Sequence, residues 1–187
     1  MTIAIIIVAA IVVAVAVFVW WSYNRFVRLQ LATANSWAQI EVALKLRHDL
    51  VPALVQTVSG YASHERTTFE RTAVARSAAM GAAGSGPMRQ SALEEQLGMG
   101  IRSLIGLAEA YPELKASDNF MALQRDLASV EERISITRRV YNDTVETLNT
   151  AVAVFPSSLV AKAFGFSGRE FFSAGGDAAT PPEVAIP

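Results

Sequence analysis

The first residues of the chain form an unbroken apolar run. Every residue from Ile3 to Val19 is Ile, Val, Ala or Phe, without a charge, a glycine or a proline. With Trp20 and Trp21 the run approaches the ~20 residues that an α-helix needs to cross the ~30 Å hydrocarbon core of a bilayer. We therefore predict a transmembrane anchor over residues 1–21.

A cleaved signal peptide is the alternative interpretation of this run. Ala14-Val15-Ala16 resembles a cleavage triplet. However, no positively charged segment precedes the run, and the apolar residues continue past Ala16. The sequence has no cysteine that could accept a lipid anchor. A retained anchor is therefore favoured.

The residues that follow the run are typical of a membrane interface. Aromatic rings settle at the headgroup level, and basic residues concentrate on the cytoplasmic side of a span. No basic residue precedes the run, so we expect a single pass with the N-terminus outside and the larger part in the cytoplasm. The predicted interface residues are Trp20, Trp21, Tyr23, Arg25 and Arg28.

Composition excludes several classes of protein. Lys and Arg number 16 against 17 Asp and Glu, a formal net charge of −1. A nucleic-acid binder needs an excess of basic residues to neutralise phosphates, so no nucleic-acid partner is expected. The absence of cysteine excludes disulfides, thiolate metal sites and cysteine nucleophiles.

The apolar spacing beyond Trp21 is helical. We expect the first helix to leave the membrane without a break, to bend at Pro52 and to fade at the glycine-rich connector 81–87. Its inward residues recur at intervals of three, four or seven positions. They are Trp37, Ile40, Leu44, Val51, Leu54, Val58 and Tyr61.

Two more long helices and a short one are predicted after the connector. The second runs from about Arg89 to Tyr111, and its glycines are tolerable if another helix approaches closely. The third, capped by Ser117 or Asp118, is heptad-like, as in a coiled coil, and stops at Pro156. A last helix covers 157–164 and closes at Gly165.

These patterns predict an all-α protein. A transmembrane helix continues into an antiparallel bundle of three long helices and one short C-terminal helix. The expected domains are an anchor at 1–21, a helical bundle at 22–172 and a disordered tail at 173–187, which is rich in Gly, Ala and Pro.

A search for catalytic chemistry finds no motif. A di-iron bundle needs Glu-x-x-His pairs, but Lys45 and Tyr61 stand three residues before His48 and His64. The glycine connector lacks the Gly-Lys-Ser/Thr of a phosphate loop, and no Gly-x-Ser-x-Gly elbow is present. We predict no enzyme activity, no metal site and no cofactor.

One set of polar residues interrupts the apolar helices. Arg47 falls on the inward stripe of the first helix, so a buried ion pair that fixes helix register is the favoured interpretation. The alternative is a polar hole in the bundle that receives a ligand or a partner's terminus. The candidate residues are Arg47, His48, Asp49, Tyr141, Asn142 and Asp143.

An aromatic set lies near the end of the predicted bundle. It either closes the open end of the bundle or forms an exposed anchor for a neighbouring protomer, since aromatics with Arg are typical of interface hot spots. Membrane contact is a third option, but three helices running up, down and up would leave the set far from the bilayer. Its members are Phe164, Phe166, Arg169, Phe171 and Phe172.

The order of several blocks resembles the LemA family of bacterial membrane proteins. The similarity covers about residues 1–172. The first half contributes the blocks 23–29, 34–42, 47–52 and 60–65, and the second half contributes 109–115, 132–134, 141–143, 155–156, 164–166 and 171–172.

The resemblance implies a single-pass protein of the bacterial inner membrane with an antiparallel helical bundle and no established catalytic activity. A periplasmic bundle is the alternative to a cytoplasmic one. Relatives among proteins linked to bacterial membrane organelles favour a structural role. We therefore expect a self-associating scaffold that contacts the bilayer, forms a homo-oligomer and binds other membrane proteins. A ligand- or peptide-binding accessory of other membrane proteins is the alternative.

Overall fold

The computed structural model describes residues 1–173, and this part of the chain is helical without a strand. The helices are α1 (Thr2–Ser59), α2 (Arg66–Gly81), α3 (Pro87–Leu107), α4 (Pro112–Lys115), α5 (Asp118–Ala153) and α6 (Ser157–Phe164), with a 3₁₀ turn at Ala108–Ala110. The all-α fold is confirmed. Apart from Ser173, the predicted disordered tail lies outside the described residues.

The described chain divides into two compact units. The first unit contains Met1–Ala38 and Val140–Arg169, and the second contains Gln39–Arg139 with residues 170–173. Helices α1 and α5 contribute residues to both units.

The first helix is one continuous helix from the apolar run to Ser59, as predicted, but it does not reach the glycine connector. The carbonyl of Val58 accepts the N–H groups of both Tyr61 and Ala62, at 3.1 and 3.0 Å, and the chain turns there. Ala62 is buried, whereas Tyr61 is exposed. The placement of Tyr61 on the inward stripe is therefore wrong, because the helical register ends at Ser59.

Pro52 lies inside α1 and has no N–H to donate to the carbonyl of His48 four residues earlier. The side chain of Arg76, on α2, donates from its Nε to that carbonyl at 2.8 Å. The proline thus creates a free acceptor, and the neighbouring helix satisfies it.

In the first unit α5 runs antiparallel to α1. The Ser36 and Thr144 hydroxyls hydrogen-bond at 3.0 Å, and the rings of Trp37 and Tyr141 lie 5.2 Å apart. An apolar cluster lies further along both helices, and partly buried residues that include Phe18, Val19 and Leu29 pack against it. The buried members of the cluster are Phe26, Leu148, Ala151, Val160 and Ala161.

The second unit has its own apolar core. Its buried members are Val51, Leu54, Val58, Ala62, Ala79, Leu97, Ile101, Leu104, Ala108, Leu114, Phe120 and Leu127. Helices α2 and α3 approach closely at Gly100, where an added Cβ would lie 2.9 Å from Oγ1 of Thr72. The expected use of a glycine for close helix approach thus holds at Gly100, while nothing lies within 4 Å of a Cβ at Gly106.

Candidate functional site

The second unit holds a charged cluster centred on Glu94. Arg47, on α1, forms a salt bridge from its Nη2 to Oε2 of Glu94, on α3, and both side chains are buried, with exposed fractions of 6% and 4%. The same Nη2 donates to the backbone carbonyl of Glu94 at 3.3 Å. The predicted buried ion pair is confirmed, and Glu94 is the partner of Arg47.

The other carboxylate oxygen of Glu94 accepts two more hydrogen bonds. Nε2 of His48 and Nε2 of Gln90 each lie 2.8 Å from Oε1. Since an ionised carboxylate only accepts, the Nε2 of His48 must carry the proton that it donates. Gln90 also donates to the carbonyl of Ala79 at 3.1 Å, which links α3 to the end of α2.

These contacts determine the ionisation of Glu94. Burial alone raises the pKa of its carboxyl, but the hydrogen bond from His48 and the charge and hydrogen bond of Arg47 outweigh it, so the pKa lies below its ordinary value. Glu94 is therefore a carboxylate at neutral pH, as a buried charge with several donors should be.

The cluster extends towards solvent through Glu131 on α5. Its Oε1 accepts from Nη1 of Arg47 at 3.0 Å, and its side chain is about half exposed. Two buried atoms of the cluster have no hydrogen-bond partner among the described residues: Nε of Arg47 and Oε1 of Gln90. A single arginine thus joins α1, α3 and α5 and keeps one donor unused.

A cavity of about 340 Å³ opens over this cluster. Arg47, Glu94 and Glu131 line it together with Arg102 and Arg138. No salt bridge joins Arg102 or Arg138 to a described residue. Glu95 lines the cavity as well, so three arginines and three glutamates face it.

A second cavity of about 280 Å³ is lined by His48 and not by Arg47. Asp49, which is exposed, lines this cavity together with His48 and Gln90. Arg47 and His48, adjacent in sequence, thus line different cavities, and Asp49 is separated from the ion pair.

The remaining candidates for a polar hole belong to the first unit. Tyr141 is buried and packs on Trp37, and Asp143 is exposed. The carbonyl of Asp143 accepts the hydroxyl of Thr147 at 2.8 Å, and Asn142 is half-buried. The structure therefore brings together Arg47 and His48 of the six candidates, and it does so around Glu94.

The predicted aromatic set is also divided. The ring of Phe166 stacks on Phe26 with centroids 4.8 Å apart, and Tyr23 meets Phe164 edge-on at 5.1 Å. Phe172 belongs to the second unit, where it is buried and lines the 340 Å³ cavity.

The other two members of the aromatic set are Arg169 and Phe171. The backbone N–H of Arg169 donates to the side-chain oxygen of Asn149 at 2.8 Å, and Phe171 is exposed. For Phe164 and Phe166 the expectation that the set lies far from the anchor is wrong, since they contact Tyr23 and Phe26 on α1, within five residues of Trp21. The reason is that α5 runs back along α1 towards the apolar run.

The predicted interface residues follow the apolar run on α1. Trp20, Trp21 and Tyr23 are exposed, and the guanidinium of Arg25 lies over the ring of Trp21 at 5.7 Å. Arg28 is exposed. Helix α1 is the one described helix long and apolar enough to cross a membrane.

Sequence reasoning missed Glu94, Gln90, Arg76 and Glu131 as members of the cluster. The sequence did contain a signal for Glu94, which lies three residues before Leu97 and seven before Ile101, on the buried face of α3. A carboxylate at such a position requires a buried cation, and Arg47 was already placed on the inward face of α1. Within residues 1–173, no group of three or more His, Asp or Glu side chains is arranged to hold a metal ion.

Comparisons with known proteins agree with the resemblance. The model of the LemA family matches residues 36–186. Magnetosome protein MamQ of Magnetospirillum gryphiswaldense is 25% identical over 174 residues, which cover 80% of this chain and 64% of the relative. Magnetosome proteins MamQ 1 and MamQ 2 of Paramagnetospirillum magneticum are 26% identical with the same coverage. The chain thus matches slightly less than two thirds of the length of these relatives.

Proposed function

This chain belongs to the LemA family, and we propose that it is a non-enzymatic, membrane-anchored protein that self-associates and organises other membrane proteins. The apolar run supports the anchor, because every residue from Met1 to Val17 is exposed and no described part of the chain covers them. Such a surface requires lipid or other apolar helices.

Exposed apolar residues on the two longest helices support self-association. Each of these helices has one pair of them, spaced one turn apart. Val42 and Leu46 form the pair on α1, and Ile136 and Val140 form the pair on α5. Residues four apart lie on the same face of a helix, so each pair presents a continuous apolar contact to a neighbouring protomer.

The test is the oligomeric state of the full chain extracted into native nanodiscs, measured by mass photometry. We expect an oligomer that the double substitution Val42→Glu, Leu46→Glu dissociates without a loss of helicity. Val74→Glu is the control, since Val74 is even more exposed but lies on α2. A monomeric wild-type chain would refute the proposal.

The similarity to the MamQ proteins is the one observation that supports a role in a specialised membrane. These relatives are named as magnetosome proteins, and the match leaves about a third of their length uncovered. The membrane proteins that this chain organises can therefore be identified by cross-linking in the native membrane.

The proposed orientation places the N-terminus outside and the chain beyond Trp21 in the cytoplasm, because Arg25 and Arg28 follow the apolar run whereas Met1 and Thr2 before it carry no basic side chain. Protease added to intact spheroplasts should leave the C-terminal part of the chain uncut. Digestion of that part from the periplasmic side would show the opposite orientation, and the proposed anchor would be unaffected.

The alternative function is that of a ligand-binding accessory, and the 340 Å³ cavity favours it. Arg102 and Arg138 form no salt bridge with a described residue and can bind a carboxylate, while Glu95 lines the same cavity and can accept N–H groups, so a peptide C-terminus, which carries both, fits this lining. Citrate and short peptides should raise the melting temperature of the wild-type chain but not of the Arg102→Gln, Arg138→Gln variant. An equal response of both chains would eliminate this function.

A further inference from the structure

The corner between α5 and α6 carries large apolar residues that nothing in the described chain covers. The exposed fractions are 74% for Phe155 and 60% for Leu159, and Val154 is also about half exposed. The opposite face of α6 is buried, because Val160 and Ala161 belong to the apolar cluster of the first unit. The α5–α6 corner therefore has one side packed on the protein and one apolar side that no described residue covers, formed by Val154 and Phe155 after α5 and by Leu159 on α6.

The position of this corner along α1 is defined by its contacts. The cluster that contains Val160 and Ala161 also contains Phe26, and Phe18 and Val19 pack against it. Phe18 and Val19 are the last apolar residues before the tryptophans. The residues from Phe18 to Phe26 cover about 12 Å of α1.

This level coincides with the boundary of the bilayer if Trp20 and Trp21 mark it. The headgroup zone of one leaflet is about 5–8 Å thick, so a cluster that reaches Phe18 and Val19 reaches the edge of the hydrocarbon. A helix at this depth with one apolar face lies in the environment that interfacial amphipathic helices occupy.

We propose that the α5–α6 corner is a second lipid-binding surface, in which Val154, Phe155 and Leu159 insert into the leaflet next to the tryptophan end of the span. Two further features support lipid as the occupant. Lys162 is exposed on α6, where a cation meets lipid phosphates. The edge-on contacts of Tyr23 with Phe164 and Phe166, at 5.1 and 5.5 Å, fix the end of α6 to α1 just beyond the tryptophans.

The surface adds a function that an anchor alone does not have. A single span leaves the rest of the chain free to tilt relative to the bilayer, whereas a second contact with the same leaflet beside α1 restrains that tilt. The first unit would then keep a fixed inclination and depth, at which it meets neighbouring proteins in the membrane. The inference rests on the proposed membrane anchor, that is, on insertion of the apolar run in the bilayer, and the experiment tests that separately.

The absence of native cysteine makes the experiment direct. Single cysteines at Phe155 and, in a second variant, at Leu159 are labelled with an environment-sensitive fluorophore in the full chain in liposomes. Trp21→Cys is the reference at the interface, Val12→Cys reports insertion of the span, and Val74→Cys on α2 is the exposed control. Quenching is measured with nitroxide-labelled lipids and with aqueous iodide.

We expect the labels at Phe155→Cys and Leu159→Cys to be quenched by nitroxide lipids as strongly as Trp21→Cys, and to be protected from iodide. Quenching of the Phe155→Cys and Leu159→Cys labels by iodide to the level of Val74→Cys would overturn the proposal. If nitroxide lipids quench the label at Val12→Cys in the same series, the span is inserted and the proposed anchor is unaffected. Labels at Phe155→Cys and Leu159→Cys that are protected from iodide and from nitroxide lipids, but lose this protection when each vesicle contains one chain, would also overturn the proposal. A second copy of the chain would then cover the corner.

Discussion

Replacing Glu94 with glutamine removes one charge from the centre of the buried cluster. The amide retains an acceptor for His48 and Gln90 at the position of Oε1, but its NH₂ group then faces the guanidinium of Arg47, which is also a donor. Arg47 keeps only the half-exposed Glu131 as an ionic partner. Removing one partner of a buried ion pair costs about 3–5 kcal/mol.

This cost is a large part of the stability of a typical domain, which is about 5–15 kcal/mol. It should lower the melting temperature by on the order of 10 °C. The assay is thermal and urea unfolding of the full chain in a mild detergent, followed by circular dichroism at 222 nm. Glu95→Gln is the matched control, since Glu95 is exposed, lines the same cavity and forms no salt bridge within residues 1–173.

The pH dependence gives an independent test of the same contacts. Because the folded chain holds the pKa of Glu94 below its ordinary value of 4.5, ionised Glu94 contributes stability above that pH, and the contribution is lost as the pH falls through the folded pKa. The wild-type chain should lose this contribution on acidification, whereas Glu94→Gln should lack it. Equal destabilisation by Glu94→Gln and Glu95→Gln at pH 7 would refute the role of the ion pair.

Three further substitutions test the packing of the second unit, each followed by the melting temperature of the full chain. Gly100→Ala should destabilise by about 1–3 kcal/mol, because the new Cβ meets Thr72, including its backbone Cα at 3.4 Å; an increase in stability would contradict the close approach. Gly106→Ala should stabilise by about 0.5–1 kcal/mol, since nothing lies near its Cβ; a decrease would contradict it. Arg76→Ala should cost about 1–3 kcal/mol by leaving a carbonyl unpaired, and less in a Pro52→Ala background, which restores the helical N–H; an equal cost in both backgrounds would refute the capping role.

The sequence predicted the helices well where the determinants are local. Gly165, with a positive φ of 73°, ends α6 at Phe164, where a glycine was expected to close the helix. The inward residues Leu54 and Val58 follow directly from helical periodicity and are fully buried. The break after Ser59 was missed, because Gly60 alone is a weak terminator and the apolar spacing continues to Tyr61.

The candidate site was predicted only in part, because it depends on which helices meet. The position of Arg47 on an inward face indicated a buried cation. Its partner Glu94 lies on another helix, and one sequence does not specify the register between two helices. The contacts of the aromatic set could not be predicted for the same reason, since Phe166 and Phe172 are six positions apart in sequence but belong to different units.

The central claim is that this chain self-associates in its membrane. The most direct measurement is the number of photobleaching steps per spot of the full chain, fused at its C-terminus to a fluorescent protein and expressed at low level in its own membrane. Self-association predicts spots with several steps that the Val42→Glu, Leu46→Glu variant reduces to one. Single-step spots for the wild-type chain, as for a monomeric single-span control, would contradict the claim.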